Sequence, residues 1–149
     1  QLYHDNSRLN GVEGKVNLGT NCPLNSSWGR QQLSFDLGIL ENSATKADRL
    51  GGNRSGYQFN AFWQFSLVSG EILSQFSHTR MKDRNGYNLL LANGAERWIE
   101  RSYLLVQYRR QLSSRSALMI NLFHQNQRSN IELFQSIDTT AEIGLSLAL

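Results

Sequence analysis

Apolar and polar residues alternate over long stretches of this sequence, and this period of two constrains the fold more than any other feature. Successive side chains of a β-strand point to opposite faces, so sustained alternation predicts strands with one apolar face. In residues 57–67 the odd positions are aromatic or aliphatic and the even ones are mainly amides. The same pattern recurs at 33–39, 104–109, 118–123 and 141–149. We therefore expect an all-β protein.

A helix competes with a strand only in residues 98–111. The apolar positions there are too crowded to form a stripe at spacings of three and four, so we interpret this segment as a strand as well. The predicted strands are about 10–13 residues long, against a usual length of five or six in globular sheets.

The connections between the predicted strands alternate in length. Tight turns are predicted at 69–70 and 113–114, and long polar segments at 43–55, 83–100 and 125–139. Short turns at one end and long loops at the other are typical of outer-membrane β-barrels. A soluble up-and-down barrel would show the same alternation with its apolar face turned inward. The amides and charges opposite the apolar residues favour the membrane barrel, because they suit a wet or hydrogen-bonded lumen.

Composition excludes several other classes of protein. Hydrophobic residues make up 40% of the 149 residues, but no apolar run exceeds four residues, so helices that cross a membrane are excluded. The single cysteine, Cys22, excludes a disulfide scaffold and a cysteine zinc site. The 12 Arg and 3 Lys are scattered rather than clustered, so nucleic acid is not an expected partner. No basic start leads into an apolar stretch, so we expect a mature chain or a fragment.

Charged residues on the predicted polar faces are candidates for the lumen. Asp36, Arg109 and Glu142 are the three that the alternation places there. In a barrel of eight strands they would pair and fill the interior, whereas in a larger barrel they would line a water-filled pore.

The last strand resembles the terminal assembly signal of bacterial outer-membrane proteins, which the barrel assembly machinery reads. Its apolar positions are Ile143, Leu145, Leu147 and Leu149, and Leu149 departs from the usual final Phe. The resemblance implies that the chain ends in the periplasm and that the long loops face outside.

Three further segments, 48–54, 83–97 and 127–134, resemble the C-terminal barrel of outer-membrane proteins that carry tetratricopeptide repeats upstream, such as surface lipoprotein assembly modifiers. The resemblance implies a transmembrane antiparallel up-and-down β-barrel. Counting residues 1–8 as a strand gives eight strands in this chain, and without them there are seven. It also implies outer-membrane lipid and lipopolysaccharide as neighbours, and upstream repeats or a periplasmic partner. No repeat of about 34 residues is present here. Within these segments the candidate surface-loop residues are Arg97, Arg128, Ser129 and Asn130.

His124, Ser129 and Glu132 invite comparison with outer-membrane lipid A deacylases, which use a Ser, a His and a Glu. In the deacylase pattern the His and Ser are two residues apart on one strand face. Here they are five apart, which places them on opposite faces. We expect no catalytic residues, and the isolated His4 and His78 predict no metal site and no cofactor.

The sequence thus predicts a single domain over residues 1–149: a non-enzymatic barrel, or barrel segment, in the bacterial outer membrane. Its predicted role is the C-terminal part of a translocator or surface-export protein. Two alternatives stay open at this point. One is a small barrel that hydrolyses lipid A or phospholipid, and the other is an adhesive or structural barrel that binds lipopolysaccharide.

Overall fold

A computed structural model of the chain describes residues 11–27, 29–46 and 48–147. They form one antiparallel sheet of seven strands that follow one another in chain order. The strands are β1 (Gly11–Ser26), β2 (Gly29–Ala44), β3 (Arg54–Leu67), β4 (Gly70–Asn88), β5 (Leu91–Ser113), β6 (Ser116–Ser129) and β7 (Ser136–Leu147). A 3₁₀ helix, Glu132–Phe134, lies between β6 and β7. The predicted all-β, up-and-down architecture is confirmed, and the described strands form an open sheet whose edges are β1 and β7.

Residues 98–111 lie within β5, so the choice of strand over helix is confirmed. The described part of the chain contains no helix with the length and apolar character needed to cross a bilayer. The extra strand weighed for residues 1–8 lies outside the described residues.

Two of the predicted long loops are largely strand. Residues 83–100 form the ends of β4 and β5, joined by Leu89 and Leu90, and residues 125–139 are loop only from 130 to 135. Alternation fails in the β4–β5 hairpin because polar residues occupy both of its faces, and the period of two is a signal only where one face is apolar.

The register gathers many apolar side chains on one face of the sheet and most side-chain hydrogen bonds on the other, although apolar residues such as Phe62, Leu73 and Leu105 lie on the polar face. One row of paired residues on the polar face runs Gly19, Asp36, Asn60, Ser77, Tyr103, Gln125 and Asp138. The opposite face carries what we call the apolar band. Its residues are Val16, Leu18, Leu33, Phe35, Leu37, Ile39, Tyr57, Phe59, Ala61, Trp63, Phe65, Leu67, Ile72, Phe76, Leu104, Val106, Tyr108, Leu118, Ile120, Leu122, Ala141, Ile143, Leu145 and Leu147.

The sheet has almost no hydrophobic core. Among the described residues, only Leu40, Ala117 and Ile131 are buried hydrophobic side chains, whereas many residues of the apolar band are exposed. Every buried residue within the strands lies on the polar face. This asymmetry is what a sheet curved towards its polar face produces.

Hydrogen bonds between side chains cover the polar face. Asn60 donates to Asp36 over 2.7 Å, and Gln107 donates to Asn121 over 2.9 Å. Gln75 donates to the Tyr103 hydroxyl over 2.8 Å. Amides of the polar face therefore bond across neighbouring strands to a carboxylate, a phenolic hydroxyl or another amide.

Candidate functional site

A buried cluster of charged side chains closes one end of the polar face, beside the β2–β3 loop. It consists of Asp83 at the outer part of β4, Arg54 at the start of β3, Arg97 in β5 and Arg49 in the β2–β3 loop. We call these four residues the arginine cluster. The guanidinium groups of Arg54 and Arg97 contact the one carboxylate, and that of Arg49 lies close enough to Arg54 to repel it.

Asp83 is the centre of the arginine cluster, and its side chain is 2% exposed. Arg97 donates from Nη2 to Oδ1 over 3.2 Å, and its Nε lies 3.0 Å from Oδ2 as an ion pair without hydrogen-bond geometry. Nε of Arg54 lies 3.0 Å from Oδ1, also without hydrogen-bond geometry. Charge attraction therefore holds these groups together more than hydrogen bonding does.

Two aromatic rings enclose Arg97 on its other side. Its Cζ lies 4.1 Å from the centre of the Tyr87 ring and 4.6 Å from that of Phe134. The two rings meet edge to face, with centres 5.3 Å apart. Contact with the ring faces stabilises a guanidinium that has lost its water. Arg97 therefore joins β5 to the β4–β5 hairpin and to the β6–β7 loop.

The β2–β3 loop packs against the same carboxylate through glycine. Gly51 has φ of +76°, and a Cβ at this position would lie 2.1 Å from Oδ2 of Asp83. Only glycine combines this backbone conformation with so close an approach. Beside it, the amide of Asn85 donates to the Gly51 carbonyl over 3.2 Å, and Arg49 donates to the Asn42 side chain over 2.5 Å.

Electrostatics at this end are dominated by the excess of guanidinium groups. Arg54 lies beyond the end of the apolar band, whose first residue in β3 is Tyr57. Burial, followed by repulsion from Arg97, lowers the pKa of Arg54, and the Asp83 carboxylate opposes that shift. Arginine pKa values start so high that the group keeps its charge at neutral pH.

The side chains of Ser129 and Asn130 form hydrogen bonds with the backbone of β5 where β6 ends. The Ser129 hydroxyl donates to the Trp98 carbonyl over 2.7 Å and accepts from the Ile131 amide over 3.2 Å. The Asn130 side chain accepts from the Trp98 amide and donates to the Glu96 carbonyl, both over 3.0 Å. These contacts replace backbone pairing where β6 ends, so the Ser-Asn pair has a structural task here.

The three segments that carry the resemblance therefore meet at one place. The first supplies Arg49, Gly51 and Arg54, the second supplies Asp83 and Arg97, and the third supplies Phe134 and the Ser-Asn pair. Residues that are far apart in sequence become one network at the loop end of the sheet.

The candidate surface-loop residues divide into two pairs. Arg97 and Ser129 are each only 4% exposed, so our expectation that they lie on a surface loop is wrong. The reason is that Arg97 is drawn in by Asp83, and Ser129 by the β5 backbone. Arg128 and Asn130 are exposed, but Arg128 lies in β6 and not in a loop. Arg128 lies on the same face as the apolar band, beyond its edge.

Asp36, Arg109 and Glu142 lie on the polar face, in three different register rows. Asp36 pairs with Asn60, and Asn121 donates to Glu142 over 3.5 Å. No hydrogen bond or ion pair joins any two of these three described residues, so the mutual pairing that we expected is not found.

The other candidates lie apart from the arginine cluster. His124 contacts the Thr139 hydroxyl at 2.8 Å on the apolar face of the sheet. Ser129 is buried on the polar face, so His124 and Ser129 lie on opposite faces, as their spacing of five residues predicts. Ile143, Leu145 and Leu147 are 78%, 61% and 67% exposed in β7, and Leu149 lies outside the described residues. Nowhere in the described ranges do three His, Cys, Asp or Glu side chains form a group that could hold a metal ion.

Sequence reasoning missed Asp83, Arg49 and Arg54 as members of a site. Asp83 is one of 12 acidic residues, and the residues next to it in the sequence do not indicate that it is buried. The Gly51-Gly52 pair is the one available signal, since adjacent glycines beside Arg and Asp predict a tight turn near charged groups.

A hollow of about 430 Å³ lies below the arginine cluster on the polar face. Its walls are polar, with Glu13, Arg54, Gln58, Thr79 and Arg101, and Leu40, Met81 and Ile99 add apolar surface. Side chains of both charge signs line it, so it does not select a ligand of one charge.

No protein-family model, curated protein or solved structure matches this chain. What it does must therefore be inferred from its own residues.

Proposed function

We propose that this chain is a membrane-spanning wall of a non-enzymatic β-barrel in the bacterial outer membrane. The observation that carries the proposal is an exposed apolar band on a sheet whose other face is polar and hydrogen-bonded. In water, an exposed apolar patch of this extent would be covered by a partner or would aggregate. Lipid hydrocarbon covers such a face without any specific partner.

The outline of the apolar band supports this reading. The register row that passes through Ile39 and Tyr57, both in the band, continues through Arg80, Glu100 and Arg128. In β6 the residue of that row is Arg128, but the first residue of the band is Leu122, six residues nearer the short-turn end. The edge of the band is therefore displaced by six residues between β2 and β6, which are four strands apart.

That displacement sets the angle between the strands and the edge of the apolar band. Six residues at about 3.3 Å and four steps at about 4.8 Å are each close to 20 Å, so the edge crosses the strands at about 45°. Transmembrane strands tilt by about 45° from the membrane normal. An apolar band lying level in the bilayer would have this oblique edge.

Curvature favours the membrane barrel over the soluble alternative. The buried strand residues are on the polar face, as expected if that face is concave. A barrel closed around a concave polar face would have polar groups in its interior. A soluble up-and-down barrel needs the opposite arrangement.

Strand direction indicates how the barrel would close. β1 and β7 both run from the loop end to the short-turn end of the sheet, so they are parallel to each other. Antiparallel closure therefore requires an odd number of further strands, which gives the even total found in bacterial barrels of one chain. A second copy with the same membrane orientation would bring two strands of the same direction together, so strands of the same polypeptide fit better.

The wider role follows from the resemblance of the three loop segments. We propose that the barrel is the C-terminal part of a translocator or surface-export protein, with tetratricopeptide repeats or a periplasmic partner on its inner side. Outer-membrane lipid and lipopolysaccharide would surround it, and the barrel assembly machinery would insert it through the signal formed by β7.

The experiment compares two arginine substitutions on one strand. Leu37 is 59% exposed on the apolar face of β2, and exposed Gln32 is on its polar face. In phosphatidylcholine vesicles, Leu37→Arg should lower the free energy of unfolding by about 2–4 kcal/mol, the cost of a lipid-facing Arg at mid-depth. The control, Gln32→Arg, should change it by less than about 1 kcal/mol. Equal effects of the two substitutions would contradict the proposal.

A further inference from the structure

Directly beyond the apolar band, the same face of the sheet carries a small polar hollow of about 230 Å³. Its lining consists of His78 of β4, Glu100 and Ser102 of β5, and Asn126 and Arg128 of β6. We call it the boundary pocket. The His78 ring contacts the Ser102 hydroxyl at 2.9 Å. Phe76 and Leu104 of the apolar band lie two residues below it on β4 and β5.

Two arginines at the boundary pocket have no carboxylate partner. Arg80 and Arg128 are paired in register with Glu100, one on each side, yet neither forms an ion pair within the described part of the chain. By contrast, Lys82 pairs with Glu96 over 2.5 Å, and Arg84 with Glu41 over 2.9 Å.

Arg80 is held in place from above by an aromatic ring. Its Cζ lies 5.8 Å from the centre of the Trp98 ring, which is within range of a cation–π contact. Arg80 and Arg128 are two strands apart, which corresponds to about 10 Å. Arg128 in the lining of the pocket and Arg80 beside it thus present two separated guanidinium groups, on either side of Glu100 in the register.

We propose that the boundary pocket binds the headgroup of a phosphorylated glycolipid, an inference that rests on the membrane-spanning role proposed above. The acyl chains would lie on the apolar band. Phosphate groups would bind Arg80 and Arg128, since guanidinium and phosphate form strong paired hydrogen bonds. Sugar hydroxyls would donate to Glu100 and accept from Ser102 and Asn126. A simple anionic phospholipid satisfies the arginines but has no sugar ring with which to occupy Glu100.

The test uses the full chain, refolded into detergent micelles with phosphorylated lipid A, a glucosamine glycolipid, as the probe. The variant Arg80→Gln/Arg128→Gln removes both guanidinium groups. The matched control, Arg30→Gln/Arg109→Gln, removes two exposed arginines from the polar face of the same sheet. Binding is measured by native mass spectrometry, with dephosphorylated lipid A and phosphatidylglycerol as comparison lipids.

We expect the boundary-pocket variant to bind phosphorylated lipid A about tenfold more weakly than the wild type, as expected for lost charge-assisted hydrogen bonds. The control should bind like the wild type, and both comparison lipids should bind weakly to all three proteins. Equal binding of the wild type and the boundary-pocket variant would overturn the proposal. So would equal loss in the control, or phosphatidylglycerol binding as tightly as lipid A.

Insertion into phosphatidylcholine vesicles without glycolipid is measured separately, by the shift in gel mobility of unheated samples. A wild-type protein that carries the further strands needed to close the barrel and still does not insert would overturn the membrane-spanning role. A chain that inserts but binds the glycolipid equally well in all variants would overturn the boundary pocket alone.

Discussion

Asp83 shows how one residue determines the geometry of a whole end of the sheet. Its carboxylate receives Arg54 and Arg97, and Gly51 packs against it closely enough to exclude any side chain. Burying an ion pair is costly, so such a network contributes little net stability compared with apolar packing. Its effect is positional, because it fixes the β2–β3 loop and the β4–β5 hairpin relative to each other.

Removing that carboxylate should be severe, because it leaves the buried guanidinium group of Arg97 and the half-buried one of Arg54 without a counter-charge. Asp83→Asn is expected to lower the free energy of unfolding by about 3–5 kcal/mol, the usual cost of breaking a buried ion pair. The control is Glu96→Gln, whose carboxylate is 46% exposed and pairs with Lys82; it should cost less than about 1 kcal/mol. Urea titration of both proteins measures the difference. Similar costs would show that Asp83 is not the centre of the network.

At the scale of strands, position relative to the apolar band matters more than exposure to solvent. Leu89 at the tip of the β4–β5 hairpin is 81% exposed, and Ile143 in β7 is 78% exposed. In water the two would be equivalent surface residues. In a bilayer they differ, because Ile143 lies within the apolar band and Leu89 lies beyond it.

Arginine should therefore destabilise the protein in vesicles at Ile143 but not at Leu89. Ile143→Arg is expected to lower the free energy of unfolding in vesicles by about 2–4 kcal/mol, whereas Leu89→Arg should stay within about 0.5 kcal/mol of the wild type. Equilibrium unfolding from vesicles measures both. A large loss for Leu89→Arg would mean that the hairpin tip is also in contact with lipid.

The strands were predictable where a single apolar face gives them a period of two, as in residues 57–67 and 118–123. Prediction failed in the β4–β5 hairpin, where both faces are polar and the sequence resembles a loop. The arginine cluster was not predictable, because the pairing of Asp83 with Arg54 and Arg97 depends on which strands are neighbours. The Ser-Asn pair was recognised as part of a loop, but its bonds to the β5 backbone required the register.

At the scale of the molecule, the sheet lacks a core and divides its residues into two faces. The low share of charged residues, 18%, fits this division, since the apolar band holds no charged side chain and hydrogen-bonded amides share the opposite face with the charged groups. The parallel edge strands, the oblique edge of the apolar band and the curvature towards the polar face are three independent features. All of them are expected for part of a transmembrane barrel.

The most direct test of this account is a scan of lipid contact along β2. Single cysteines are placed at positions 33–38 after Cys22→Ser, labelled with a fluorophore and inserted into vesicles that contain brominated lipid. The account predicts that labels at Leu33, Phe35 and Leu37 are quenched by the lipid, and that labels at the even positions are quenched only by soluble iodide. Lipid quenching without this alternation, or iodide quenching at every position, would contradict the proposal that the apolar band faces the membrane.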